Sequence, residues 1–246
     1  MTEDKVPPLD ENTRRYYLDV MGIQCWELIG SHIEGDATED DNLNPVQFQA
    51  AGAAYQQLEA DVQQCTRCQL HTGRKQAITG RGNASAELMF VLLSPDANDD
   101  GAGMLCSGEA DTLFTKMLAA INIAIDDIYI TSLLKCCVPA RHTVTTTELH
   151  YCAEYLKQQI HLIQPKLLVV TGDTAARCLL QKNTSLDDLR AMVNAEAYSD
   201  TASHAYQFES APLFVSYSPQ ELLQRPENKR KAWQDLQQLQ QIVEAW

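Results

Sequence analysis

The chain has 246 residues, 45% of them hydrophobic, enough to bury one substantial core and to carry an appendage. Nineteen lysines and arginines face 33 acidic residues, a formal charge of -14, so nucleic-acid phosphates are repelled on average and a basic partner is favoured. No apolar run reaches the roughly 18 residues of a membrane helix, and MTEDKVPPLDENTRR has neither the apolar stretch of a signal peptide nor a basic presequence, which predicts a cytoplasmic protein with no membrane association.

Residues 12–29, NTRRYYLDVMGIQCWELI, form an apolar-aromatic island in which Tyr17 and Met21 stand at helical spacing and Gly22 ends the turn. The acidic stretch after it, with Glu34, Asp36, Glu39, Asp40 and Asp41 and no lysine or arginine, reads as a self-repelling linker. The chain therefore divides into a partner-docking peptide at 1–29, a linker at 30–46 and a folded domain at 47–246. A short aromatic segment tethered in this way is suited to folding on a partner.

From Pro45 the pattern becomes globular. PVQFQAAGAAYQQLEADVQQ keeps helical period and leads into CTRC. ELMFVLL at 87–93, DIYITSLL at 127–134, PKLLVVTG at 165–172 and PLFVSYS ending at Ser218 read as buried strands. The segments TLFTKMLAAINI, TTELHYCAEYLKQQIHLI and DTAARCLL between them read as helices. This alternation predicts a three-layer α/β/α fold around a central, mainly parallel four-stranded sheet, preceded by a flexible N-terminal peptide.

Eight cysteines without an export signal argue for reduced thiols rather than a disulfide scaffold. Cys65 and Cys68 form a CxxC in a polar setting, where two core thiols are hard to place. Cys136 falls at a strand end and Cys152 inside a helix, so four thiols arise from three elements. The ligand count suits an iron-sulfur cluster or a four-thiolate zinc site equally. Cys137 could replace its neighbour as a ligand.

With these cysteines on the page, the chain resembles the family-four uracil-DNA glycosylases over roughly residues 60–240. The pieces that carry the resemblance are CTRCQLHTGRKQAITGRG, YITSLLKCCVP, the 16-residue step to Cys152, PKLLVVTGDTAARCLL and YSPQELLQRPENKRKAWQDL. The resemblance implies a uracil-DNA glycosylase-like fold and a [4Fe-4S] cluster on Cys65, Cys68, Cys136 and Cys152. At the positions where that family does its chemistry this chain differs. The family's Gly-Glu-Ala-Pro-Gly loop falls on Leu92-Leu93-Ser94-Pro95-Asp96, which puts Leu93 in place of the carboxylate. Cys106 takes the place of the base-stacking aromatic, Ser132 of the base-reading asparagine and Ser218 of the motif histidine. Loss of one electrostatic stabiliser typically costs ~10²–10³-fold in rate, so four replacements together predict a degenerate site and no enzyme.

RRYYLDVMGIQCWEL resembles the N-terminal peptide of the psi subunit of the bacterial DNA polymerase III clamp loader, over about 15 residues. That resemblance implies docking through Arg14, Tyr17, Met21, Ile23 and Trp26 on the clamp-loader tau/gamma subunits, with the domain presenting the chi subunit and, through it, single-strand-binding protein. The expected function is then a non-catalytic, cluster-bearing psi-like subunit of the bacterial replisome with weak or no direct DNA binding. The alternative is a DNA-repair glycosylase with altered chemistry on a damaged base, using Asp96, Asp99 or Ser132 to activate water.

Overall fold

A computed structural model describes residues 45–197 and 206–246. The docking peptide, with Arg14, Tyr17, Met21, Ile23 and Trp26, and nearly all of the acidic linker lie outside the described residues. Helix α1, Pro45–Gln63, precedes β1, Arg81–Gly82, and β2, Leu88–Leu92. Helices α2, Ala97–Ala102, and α3, Gly108–Ala119, lead to β3, Ile128–Ser132. Then follow α4, Thr146–Ile163, β4, Leu167–Thr171, α5, Asp173–Leu180, and α6, Leu186–Ala197. The chain closes with β5, Gln207–Phe208, β6, Ala211–Ser216, α7, Pro219–Gln224, and α8, Lys229–Glu244.

The four long apolar runs form the parallel core of the sheet, in the order β3-β2-β4-β6. The short β1 and β5 add antiparallel edges, giving β1-β3-β2-β4-β6-β5. Two-residue edge strands have no periodicity to read, so the sequence pattern shows only the central four. Within β1, Gly82 sits at φ +113°, and a Cβ there would collide with the Ile128 carbonyl oxygen, so only glycine allows this close pairing.

Alternate residues of each strand face opposite layers, as the period of two requires. Leu88, Phe90 and Leu92 pack with Phe114 and Leu118 of α3 and Leu236 and Leu239 of α8. Met89 and Val91 pack with Leu156 and Ile160 of α4 and with Leu189 and Val193 of α6. Both faces are buried, which is why the strands read as continuous apolar runs rather than alternating ones. The predicted three-layer α/β/α fold is thus present.

Helix ends follow local chemistry. Thr145 and Glu148 form a reciprocal capping box that starts α4, and Gln164, in the left-handed region, ends it just before Pro165. Ser218 and Glu221 cap α7 in the same way, with Pro219 at its first position. In chain order β2 is followed by β3 on one side of it, and β4 then joins on the other. This reversal opens a crevice at the carboxyl ends of β2 and β4, the place where open α/β sheets bind ligands.

Candidate functional site

Four cysteines converge beside the end of β3. Cys136 and Cys152 are 3% exposed and share an apolar cluster with Leu70 and Leu134, against which the half-buried Cys68 packs. Cys65 packs against the neighbouring Leu58–Val62–Tyr155 cluster, in which the Tyr155 hydroxyl donates to the Asp61 carbonyl at 3.4 Å. Burial pushes the Cys136 thiol up; a hydrogen bond and the charge of Arg74 pull it down, and the nearby Cys68 and Cys65 push it up again. Cys152 is pushed up to about 11, first by burial, while the Lys135 amide that donates to its sulfur works the other way. Cys137 lies in a different field: beyond its own burial, Asp100, Asp96 and Asp99 raise its thiol. Adjacent side chains project apart, and of the two it is Cys136 that joins the cluster with Cys152.

The surroundings of the four sulfurs suit an anionic centre. Arg74 donates from Nη1 to Cys136 Sγ at 2.8 Å. Lys135 is 1% exposed, and its Nζ donates to Thr131 Oγ1, the Ser132 carbonyl and Gln159 Oε1 at 2.7, 2.7 and 2.6 Å. All three acceptors are neutral, so burial pushes this ammonium down to about 7, with the neighbouring Cys152 opposing the shift. Among the described residues no group of three or more His, Cys, Asp or Glu side chains is disposed to hold a single metal ion.

The second feature is the crevice predicted by the strand order. A cavity of about 190 Å³ is lined there by Leu93, Ser94 and Asp96 after β2, Gly172 and Thr174 after β4, and Ser218 and Glu221 after β6. Asp96 caps α2, its Oδ1 accepting from the Asn98 and Asp99 amides at 2.8 and 2.9 Å, while Oδ2 has no hydrogen bond among the described residues. The Ser218 oxygen accepts from the Glu221 amide at 3.2 Å, leaving its proton to donate. The Glu221 carboxylate is fully engaged, taking the Asp173 amide at 2.9 Å and the Ser218 amide at 3.1 Å. An adjoining cavity of about 470 Å³ shares Thr174 and Glu221 and is lined by Arg177 and Arg225.

The structure separates the residues expected at a degenerate site. Leu93 and Ser218 line the crevice. Cys106 and Ser132 do not; both are fully buried. Cys106 sits in the left-handed region at φ 56°, and burial pushes its thiol up to about 12. Ser132 turns its hydroxyl onto the Leu134 carbonyl at 2.8 Å. Of the three groups expected to activate water, Ser132 and the fully buried Asp99 are consumed by structural hydrogen bonds, and only Asp96 reaches the cavity. Thr174 and Glu221 were not anticipated; the Ser-x-x-Glu pattern at 218–221 is a capping signal that could have revealed the latter.

The domain matches the family model for the uracil DNA glycosylase superfamily over residues 79–237. It is 30% identical over 183 residues to the type-4 uracil-DNA glycosylase of Archaeoglobus fulgidus, covering 73% of this chain and 88% of that one. The type-4 enzyme of Pyrobaculum aerophilum is 29% identical over 185 residues, 74% of this chain and 90% of its own. That of Thermotoga maritima is 35% identical over 114 residues, 46% of this chain and 59% of its own.

These similarities correct the expected function. A non-catalytic psi-like clamp-loader subunit, bridging tau/gamma to chi and single-strand-binding protein with little direct DNA contact, rested on about 15 residues outside the described structure. The similarity to named glycosylases extends instead over 73–74% of the chain, and the family match at residues 79–237 includes the crevice. The non-enzyme reading, the clamp-loader partners and the replisome setting fall together. Among the described residues no helix is long and apolar enough to cross a membrane. The chain belongs to the uracil DNA glycosylase superfamily.

Proposed function

We propose that the domain is a DNA-repair glycosylase whose chemistry departs from its relatives' and acts on a damaged base. The observation that carries this reading is the crevice at the carboxyl ends of β2 and β4, where the free Oδ2 of Asp96 and the Ser218 hydroxyl line one cavity. In the proposed step a water attacks the sugar C1′ and gives its proton to Asp96. The C1′–N bond breaks, its electron pair leaves with the base, and the Ser218 hydroxyl donates a hydrogen bond to the charge that develops there. A neutral hydroxyl stabilises that charge less than a histidine would. The reading therefore favours a base that departs more readily than uracil, such as xanthine. Reaching such a base requires extrusion from the stack, and Leu223, 39% exposed on α7 beside the crevice, is an apolar side chain suited to fill the gap.

Against a net charge of -14, the basic groups offered to DNA near the crevice are Arg225, which lines the adjoining cavity, and Lys229 and Arg230, exposed at the start of α8; Arg177 in that cavity is paired with Asp173. The test is release of free base from uracil-, hypoxanthine- and xanthine-containing oligonucleotides, single- and double-stranded, by the full chain and by Asp96→Asn. Base release that falls ~10²–10⁴-fold in the variant is expected for loss of a general base. No release from any of these substrates overturns the reading.

The same proposal assigns a [4Fe-4S] cluster to Cys65, Cys68, Cys136 and Cys152. Its support is the nearness of the four cysteines to one another and the Arg74 guanidinium that donates to Cys136 Sγ. When bound, the cluster would supply cross-links between α1, the end of β3 and α4, with no part in the hydrolytic step. Iron, sulfide and zinc content of anaerobically purified protein decides between the metals. The division into a docking peptide at 1–29, a linker at 30–46 and a domain at 47–246 belongs to the proposal too. Arg14, Tyr17, Met21, Ile23 and Trp26 are its anchors for a protein partner.

A further inference from the structure

Arg74 is set on the four-cysteine site as a fork. Nη1 donates to Cys136 Sγ at 2.8 Å, and Nη2 donates to the carbonyls of Gln63 and Cys65, each at 2.9 Å. One guanidinium thus joins the end of α1, where Cys65 lies, to the segment after β3 that carries Cys136. The group is half-buried and presents its donors in a fixed plane. None of the described carboxylates pairs with it, so its positive charge is directed at the sulfurs.

We propose that Arg74 is the positioning residue of the cluster, and that it tunes the cluster's reduction potential and guards it against loss. The proposal rests on the assignment of a cluster to the four cysteines. Its physical content has two parts. The two Nη2 bonds hold the Cys65 main chain in register with the Cys136 sulfur, so that ligands from separate segments meet without a search. The charge-assisted N–H···S bond draws electron density from the Cys136 thiolate, which stabilises the more negative, reduced state of the centre. Hydrogen bonds to cluster sulfurs are among the terms that set such potentials, and groups that orient ligands typically alter metal affinity ~10–100-fold when removed. Lysine is no equivalent, because a single ammonium cannot span Cys136 Sγ and two carbonyls in the fork's geometry.

The experiment uses the full chain, purified without oxygen, as wild type, Arg74→Lys and Arg74→Gln. Iron and sulfide per chain, the midpoint potential from a dye-mediated redox titration and the rate at which the visible absorption bleaches in air are measured. Arg74→Gln is expected to have a more negative midpoint and to bleach at least several-fold faster. Arg74→Lys, which keeps the charge and loses the fork, is expected to recover the midpoint in part while still bleaching fast. A glutamine variant that folds by circular dichroism yet takes up no iron also supports the positioning role; if it does not fold, the lysine variant decides. Variants with the wild-type midpoint and bleaching rate overturn the proposal while leaving the cluster assignment intact. Wild-type protein without iron and sulfide refutes the assignment itself, and the proposal with it.

Discussion

The buried carboxylate of Asp99 accepts the backbone amides of Cys106 and Ser107, at 3.0 and 2.6 Å, and so ties the end of α2's first turn to the loop that enters α3. The loop needs this tie. Cys106 is held in the left-handed region and Gly108 follows at φ 64°, a backbone that a β-carbon-bearing residue seldom adopts unsupported. Asp100, next to it, does the same for another segment, taking the Lys75 amide at 3.0 Å. These two acids are anchors of the crevice wall rather than reagents in it.

Replacing Asp99 with asparagine should therefore lower stability by about 1–3 kcal/mol, since the oxygen that becomes an NH₂ group can no longer accept the amides it held, Ser107 on Oδ1 or Cys106 and Asp96 on Oδ2. Denaturant unfolding of the two proteins measures this. A variant as stable as the parent, with an altered rate of base release, would move Asp99 from the scaffold into the chemistry.

Arg190 and Asp235 make the principal buried ion pair on the α6–α8 side. Arg190 Nε donates to Asp235 Oδ2 at 2.8 Å, and the Ser216 hydroxyl reaches the same oxygen at 2.8 Å. Burial pushes the Asp235 carboxyl up, against the pull of Arg190. Arg190→Met leaves a carboxylate that is 2% exposed without its partner, and removal of one member of such a pair costs about 3–5 kcal/mol. Arg190→Met combined with Asp235→Leu should recover part of that loss, because no uncompensated charge remains. Thermal unfolding of the single and double variants checks the order; equal losses in both would mean that packing, not charge, dominates.

The parallel core was legible because each long strand is buried on both faces and so appears as an uninterrupted apolar run, Leu88–Leu92 and Leu167–Thr171 being the clearest. Helix α4 was legible to its ends, since Thr145 and Glu148 announce the start and Pro165 the stop. The edges were not, because β1 and β5 are two residues long and depend on partners remote in sequence. At the site the CxxC stood out by its polar setting. What sequence could not rank were Asp96, Asp99 and Ser132, three polar groups in or just after strands β2 and β3 or in the first turn of α2, whose fates differ through their hydrogen bonds. Lys135 was equally silent: nothing in LLKCC says that its ammonium is buried against Thr131 and Gln159.

Asp187 supplies a pH dependence. Its carboxyl is held down at about 2, first by a hydrogen bond from Lys231 and then by the Tyr217 hydroxyl at 2.6 Å. The ordinary value is 3.8, so the folded state holds its proton less tightly than the unfolded state does. The stability from this group is present above about pH 4 and is lost as pH falls toward 2. The side chain is 48% exposed, so solvent screening keeps the effect below about 1 kcal/mol. Unfolding free energies measured between pH 2 and 6 should fall less steeply on the acid side for Asp187→Asn than for the parent. Parallel curves would mean that the contacts with Lys231 and Tyr217 do not persist in solution.

On the proposed cluster assignment, Cys136 and Cys137 offer the sharpest separation between ligand and bystander, because neighbours in the chain face different surroundings. Cys136 shares its cluster with Cys152 and receives the Arg74 hydrogen bond, whereas Cys137 is half-buried in the field of Asp100, Asp96 and Asp99. Thiolate ligation couples metal uptake to folding, so removing a true ligand should cost both colour and stability. Cys136→Ser and Cys68→Ser are expected to give colourless, less soluble protein with a lowered melting temperature. Cys137→Ser should keep the parent's iron content and melting temperature, since its Sγ makes only a 4.0 Å contact to the Val138 carbonyl. Iron analysis and thermal unfolding of the three variants, prepared side by side without oxygen, measure both effects. A colourless Cys137→Ser together with a coloured Cys136→Ser would exchange the two assignments and detach Arg74 from the ligand it is placed to hold.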